Sequence, residues 1–541
     1  MLRDLAALAD ARYDLLVIGG GIHGLFAAYD AADRGLSVLL VERADFGSGL
    51  SANHQRTIHG GLRALQSGHI GKVREQIVER RTWARIAPHL VRPLPFLIGT
   101  YRFTKRSRLA LRAGFAAYDL IGRRRNVDVP TELHLPKGKV ESAAATRKLF
   151  PGIAPDGLTG GAVWYDYQTR HPDRLNWTVA LAADRAGAHL VNYADAIAPL
   201  MDGRRVAGAR VRDGLTGREH DIQAAVTLIA AGGALGRTLQ AFGVDSPPPM
   251  LRAMNVLLNR PARDIAIAAR GASGRMLTAV PWRGFVLAGT HQSAAPVERT
   301  ECTPPAEAIG QMLDDVNAAF PALKATAADI RLIHYGLTPA TTSGGRADLL
   351  AEPQIIRHAT RGTAGAMSLI GVKYTTSRLA AERAVDLVCR ELGRPHRRCR
   401  TSSRELPHAG ISDVEGRLME TGRALGVDLD RDVLDHLASW YGSEAPDVVR
   451  FAAERGQLDR LSTETPVLGG EVTYAAVHGQ AARLSDAILR RTALGSAGHP
   501  GQAALQRASV LFAEARGWAA DKTARELADA EAIYPNRFNE P

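Results

Sequence analysis

Cysteine is scarce: Cys302, Cys389 and Cys399 are the three in a chain of 541 residues. Three cannot all pair, and no CxxC spacing occurs, so neither a disulfide framework nor a thiolate metal site is expected. No histidine pair has metal-ligand spacing with a carboxylate, so no metal is expected. Long apolar runs are missing too. Nothing approaches the ~18 consecutive apolar residues of a membrane-spanning helix. The N-terminal MLRDLAALADARYD has acids inside its short apolar run, whereas a secretory signal needs a longer uncharged core. These absences predict a reducing, cytoplasmic compartment. Aromatics make up 6%, and no RNP-type motif, zinc-finger spacing or helix-turn-helix stands out. Nucleic acid is therefore not an expected partner.

What is present is ordinary globular composition, 45% hydrophobic and 23% charged, with room for roughly two to four domains. The net charge of +12 fits a membrane surface, an anionic substrate or a plain compositional bias toward Arg. YDLLVI, from Tyr13 to Ile18, reads as a strand, FAAYDAADRG as a helix and LSVLLVE, from Leu36 to Glu42, as a second strand. Further strands are expected at 188–193, 205–212 and 226–231, and a separate antiparallel sheet between about 249 and 290. The stretch 394–410 is basic, with Ser and Pro and no periodicity, and reads as a linker. Helical segments follow it, several ending in Gly as a C-cap should.

Gly19, Gly21 and Gly24 form G-x-G-x-x-G between the first strand and its helix. That is the context a dinucleotide fingerprint needs. Gly19 permits the tight turn, Gly21 lets the backbone approach a pyrophosphate, and Gly24 allows helix to pack on strand. Glu42 is placed to bind ribose hydroxyls. The turn alone does not separate NAD from FAD. VTLIAAGGALG, with Ala231 and Gly232 at its end, favours FAD, because such a strand returns beside the dinucleotide in flavoproteins of this type. Gly371 and Lys373 open a late helix whose N-terminus can face the flavin.

Several segments together resemble the FAD-dependent glycerol-3-phosphate dehydrogenases, within the amino-acid-oxidase-like flavoproteins. YDLLVIGGGIHG and RGLSVLLVE match the family's start. IHGGLRAL, from Ile58, matches its IHGGxRYL, and GVKYTTSR, from Gly371, matches its GGKLTTYR. NYADAIAPL, VRDGLTGRE and EVTYAAVHGQAARLSDAILRRTALG continue the match to about Tyr534.

The resemblance implies an α/β chain: a Rossmann-like FAD-binding domain, an antiparallel β-sheet substrate domain and an all-α C-terminal domain. The expected parts are FAD-binding segments at 13–75, 161–245 and 335–393, and a mixed region at 76–160 with a basic amphipathic segment. The substrate sheet is expected at 246–334 and the helical domain at 411–535. It also implies oxidation of the secondary alcohol of glycerol 3-phosphate or a related anionic polyol, with hydride passing to flavin N5. A quinone or other acceptor takes the electrons at the inner face of the membrane, where the basic stretch Arg102–Arg125 would make peripheral contact. A homodimer is a further expectation.

His59, Arg63 and Lys373 carry over as catalytic candidates, and Arg357, Thr338 and Asn255 as substrate positions. Several site positions break the family pattern. Thr338 stands in Gly336-Leu337-Thr338-Pro339 where the family has Arg, Ala64 where it has Tyr, and Asn255 where it has His. SANHQR puts His54 and Gln55 where small hydroxyl residues are expected. His54, His171, His291 and His334 are candidates to replace the lost base. The breaks leave two alternatives open: a diverged flavin oxidase or dehydrogenase acting on another hydroxy or amino compound, and a non-catalytic flavin-binding protein.

Overall fold

The computed structural model describes residues 3–65, 68–101, 108–244, 247–298, 302–343, 346–361, 363–395, 397–410 and 413–535. Val38–Val41 (VLLV) is apolar without alternation, the pattern of a strand covered on both faces. It joins a sheet ordered Gln354–Arg357, Ala366–Ile370, Glu219–Ile229, Arg12–Ile18, Val38–Val41, His189–Val191. Every neighbouring pair is parallel except the first. Ala194–Asp202 and Arg205–Asp213 extend it as an antiparallel pair off Glu219–Ile229. Successive side chains of the first strand point to opposite faces. Leu15 and Val17 pack with Ala27, Ala28, Ala380 and Ala384 of two helices, Ile22–Asp33 and Ser377–Glu391. Leu16 and Ile18 pack on the other side with Leu235 and Phe242. The alanines let both helices lie close to the sheet.

The second sheet lies beyond the C-terminal ends of these strands. Its order is Arg346–Leu349, Ile330–Ser343, Met250–Pro261, Phe285–Gln292, Met276–Trp282, Ala266–Arg270, Val91–Tyr101, Leu158–Thr169, Thr57–Ile58. It is antiparallel apart from Ala266–Arg270 on Val91–Tyr101. Residues 246–334 therefore supply its middle, and segments from both sides of that range complete it. Pro93 and Pro95 interrupt the apolar pattern of Val91–Tyr101, which hides that strand in the sequence.

The C-terminal part is helical: Val414–Leu425, Arg431–Tyr441, Ala445–Ala453, Gly469–His478, Gln502–Arg516 and Ala520–Glu531. The segment 471–495 is not one helix. Its first helix stops at Gly479, and the chain resumes at Leu484–Asp486 and a wide turn over Ala487–Arg491. The Asp486 carboxylate accepts the N–H groups of Ala482 and Arg483, both at 2.9 Å, and so starts a new turn there. Residues 394–410 are packed rather than extended: Cys399, Thr401 and Leu406 are buried, and Arg400 pairs with Asp33 at 2.9 Å.

Of the basic amphipathic stretch, residues 102–107 lie outside the described residues. The helix Arg108–Ile121 buries Phe115 and Tyr118 and leaves Leu120 71% exposed. Among the described residues, no helix is long and apolar enough to cross a membrane.

Candidate functional site

A cavity of 990 Å³ opens where the parallel strands end, between the two sheets. That is near the upper end of the ~300–1,000 Å³ range of ligand sites. One end is formed by the glycine turn. Gly19 has φ +113, a left-handed conformation that glycine adopts without strain. A Cβ on Gly24 would lie 1.9 Å from the Gly19 carbonyl oxygen, so helix and turn touch backbone to backbone. Gly21 caps the helix, and a Cβ there would meet Ser51 Oγ at 3.2 Å and nothing else nearby. Ser51 Oγ takes the Ile22 N–H at 2.9 Å, and the rest of the first turn borders the cavity, where the helix N-terminus favours an anion.

Glu42 accepts Gly20 N–H at 2.6 Å and Ala44 N–H at 2.8 Å. Burial raises its carboxyl above the usual range, against those two hydrogen bonds. A carboxylate has lone pairs to spare for ribose hydroxyls. Ala231 and Gly232 line the same cavity. The sequence reasoning missed His23. Its ring lines the cavity, burial lowers its pKa to about 4, and its Nε2 has no partner among the described residues. A Cβ on Gly371 would sit 2.3 Å from that ring, which gives this glycine a packing reason. A helix N-terminus at the cavity edge, a half-buried carboxylate and an imidazole nitrogen with no partner among the described residues fit an adenine dinucleotide.

The inner end is built by the loop 53–56 against the second sheet. Asn53 donates to the Tyr335 carbonyl at 3.1 Å and accepts from His334 Nδ1 at 3.1 Å. Gln55 donates to the carbonyls of Thr278 and Gly289 at 2.6 and 2.7 Å. Arg56 points Nη2 at His334 Nε2, 3.2 Å away. Asp173, at the start of the helix Pro172–Arg185, also lines the cavity. Burial raises its carboxyl, against the attraction of Arg56, Arg490 and Arg283. His54 stacks on Tyr374 with ring centres 4.3 Å apart. Asn255 and Thr338 reach the same cavity, Asn255 accepting from Thr290 Oγ1 at 2.8 Å.

The other expected residues sit elsewhere. His59 is half-exposed, 3.2 Å from Asp166, and outside the cavity lining. Burial works to raise the Asp166 carboxyl, but His59 and Arg80 beside it hold it below its usual value. Lys373 pairs with Glu352 at 3.4 Å. Arg357 lies on the outer strand and pairs with Glu391 at 2.9 Å. Arg63 falls in the short helix Leu62–Leu65, and its side chain is outside the described residues. Of the four histidines considered as bases, His54 and His334 line the cavity; His171 and His291 do not.

Residues 14–387 match the family model of FAD dependent oxidoreductases, and residues 399–523 match the C-terminal domain of alpha-glycerophosphate oxidase. The fold and the dinucleotide cradle thus belong to a flavin-dependent oxidoreductase. Among similar proteins, glycerol-3-phosphate dehydrogenase 2 of Mycobacterium tuberculosis is 31% identical over 536 residues, 96% of this chain and 88% of that one. The glycerol-3-phosphate dehydrogenase of Synechocystis is 29% identical over 529 residues, 91% of each chain. The solved glycerol-3-phosphate dehydrogenase of Bacillus halodurans, complexed with FAD, superposes with a TM-score of 0.74 at 23% identity, over 99% of this chain and 97% of that one. The chain belongs to the FAD-dependent glycerol-3-phosphate dehydrogenase family.

Proposed function

We propose that the protein oxidises the secondary alcohol of an anionic polyol: glycerol 3-phosphate or a larger polyol phosphate. The observation that carries this reading is one cavity with a dinucleotide cradle at one end and a buried arginine, Arg56, at the other. FAD, when bound, supplies the hydride acceptor. The chain does the rest. Gly21 and the helix behind it take the pyrophosphate, and Glu42 takes ribose hydroxyls. Asp173 takes the alcohol proton: its buried carboxyl is more basic than an ordinary one, as a general base requires. His334 orients Arg56, because its Nε2 is already engaged by that guanidinium.

Thr338 and Asn255 are short and uncharged where the family pattern has Arg and His, which leaves room for a longer substrate. Glycerol 3-phosphate should therefore reduce the flavin more slowly than a larger polyol phosphate. Anaerobic bleaching of the yellow protein by a substrate panel tests this. Fast bleaching by glycerol 3-phosphate alone would show that the short residues do not matter. Bleaching by hydroxy or amino compounds without phosphate would favour the alternative substrates, and none at all a non-catalytic flavin protein.

A quinone is the proposed acceptor, reached by peripheral contact with the inner membrane face. Arg123 and Arg124, exposed just after the helix that bares Leu120, support that contact. Co-sedimentation with anionic vesicles should be seen at low salt and lost at high salt, where exposed charges are screened. Equal recovery with neutral vesicles would remove the idea.

A further inference from the structure

Residues that line a cavity and are also exposed mark where it opens. At the dinucleotide end these include Arg43 and Gly49. Leu349 is another, on the short strand that pairs with the one carrying Thr338. A third group comes from the C-terminal helical part. Asp529, Ala532 and Ile533, at the end of the helix Ala520–Glu531, are exposed and line the same cavity. Leu489, Arg490 and Ser496 line it too and are less exposed.

This third opening borders the inner end of the cavity. Arg490 is among the charges that act on the Asp173 carboxyl, and Leu489 packs with Trp282 and Leu332 of the second sheet. The Arg56 guanidinium lies over that Trp282 ring, 4.4 Å from its centre. Arg283 donates to the Ala493 carbonyl at 2.6 Å. The C-terminal turn rests on the same segment. Tyr534 joins the cluster of Trp282 and Leu332, and its hydroxyl donates to the Gly495 carbonyl at 3.0 Å. Trp440 donates to the Arg491 carbonyl at 3.1 Å, and Arg331 to that of Ala497 at 2.9 Å. The rim is held from several sides, so its width depends on the side chains that form it.

We propose that the substrate reaches Asp173 through this C-terminal opening, and that Ala532 and Ile533 set the bulk it admits. The inference rests on the reading that Asp173 and Arg56 meet an anionic polyol and that FAD occupies the cradle end. FAD held at Gly21 and Glu42 obstructs that end, so a molecule that exchanges at every turnover needs another way in. The C-terminal opening suits an anion. Arg490 stands in its wall and Arg56 at its inner end, and cations along a low-dielectric cleft draw in opposite charge. The acid on the rim, Asp529, has Arg483 at 3.7 Å to offset it.

Three FAD-loaded variants test this: Ala532→Trp narrows the rim, Ile533→Ala widens it, and Leu349→Trp narrows the opening near Thr338. All three positions are exposed, so the core is left alone. Flavin reduction is followed anaerobically by stopped flow with glycerol 3-phosphate, with the longer glucitol 6-phosphate, and with dithionite, a small anionic reductant. Ala532→Trp should lower the second-order rate constant roughly tenfold, within the ~1–3 decades over which association rates vary among variants of one interface. The rate at saturating substrate should stay as in the wild type, because the reacting groups are untouched; a merely structural effect would lower it together with the thermal midpoint. Ile533→Ala should speed glucitol 6-phosphate more than glycerol 3-phosphate, and Leu349→Trp should leave every rate unchanged. A polyol phosphate that reduces Ala532→Trp at the wild-type second-order rate would overturn the opening, as would equal or greater slowing by Leu349→Trp. Where no polyol phosphate reduces the wild-type flavin, dithionite decides. Slowing by Ala532→Trp alone then leaves the opening standing and sinks the reading of the reaction, and wild-type dithionite rates in that variant sink the opening as well.

Discussion

Gly24→Ala should leave little soluble protein and none carrying FAD, whereas Gly21→Ala should fold normally and lose the flavin. The two glycines sit three residues apart in one turn, yet they fail for different reasons. A methyl at position 24 would overlap the Gly19 carbonyl oxygen, 1.9 Å away. That neighbour is backbone, and Gly19 is itself fixed: a Cβ there would lie 2.5 Å from the Ala230 carbonyl oxygen. The helix Ile22–Asp33 would have to move off the sheet, and overpacking of this kind costs about 1–3 kcal/mol or more. Gly21 has φ −74 and ψ 173, extended backbone open to any residue. Its methyl meets protein lightly but, on the proposed reading, stands where the pyrophosphate reaches the helix N–H groups. Hydrogen bonds to a charged group are worth about 1.5–3 kcal/mol each, so losing one or two means a loss of ~10–1,000-fold or more in FAD affinity. Flavin-to-protein absorbance ratios and thermal midpoints separate the cases. Gly24→Ala with full flavin content would show that close contact is not required.

This turn was legible in the sequence because everything it needs is contiguous: strand, glycines, helix and second strand fall within residues 12–41. The inner end of the cavity was not. Arg56, Asp173, Trp282 and His334 come from four separate segments, and their proximity depends on the long-range pairing of the second sheet. One signal was available, the SANHQR segment that departs from the family's small hydroxyl residues. It pointed to His54 and Gln55 but not to Arg56 beside them. His23 was hidden for a different reason. It lies inside the motif, at a position the glycine spacing leaves unspecified. The helical C-terminal part was readable as helices from apolar period and terminal glycines. What it does at the cavity was not, since that depends on which charges it buries.

Those charges carry the other large expected effect. Asp45, three residues after Glu42, is fully buried beneath the C-terminal helices. Arg491 holds it with two nitrogens at 2.7 and 2.9 Å, and Arg490 Nε reaches it at 2.5 Å. Arg490 also pairs with Asp486 at 2.5 Å, whose carboxylate receives the Tyr193 hydroxyl at 2.8 Å. Burial opposes ionisation of Asp45, yet the two arginines win and lower its pKa to about 2. The pair is therefore intact above the ordinary value of 3.8, and its contribution fades only as pH falls through about 2. Asp45→Asn keeps the shape and removes the charge, leaving two buried guanidiniums facing a neutral amide. Removing one partner of a buried ion pair costs about 3–5 kcal/mol. The effect should not stop at stability. Arg490 lines the cavity, as does Glu42, three residues before Asp45 and on the proposed reading the partner of the ribose. Asp45→Asn should therefore lower the thermal midpoint of the apoprotein and, separately, speed FAD release from the holoprotein. Release is followed by the rise of flavin fluorescence after dilution. An unchanged release rate with a lowered midpoint would mean that the C-terminal helices brace the fold without helping to hold the cofactor.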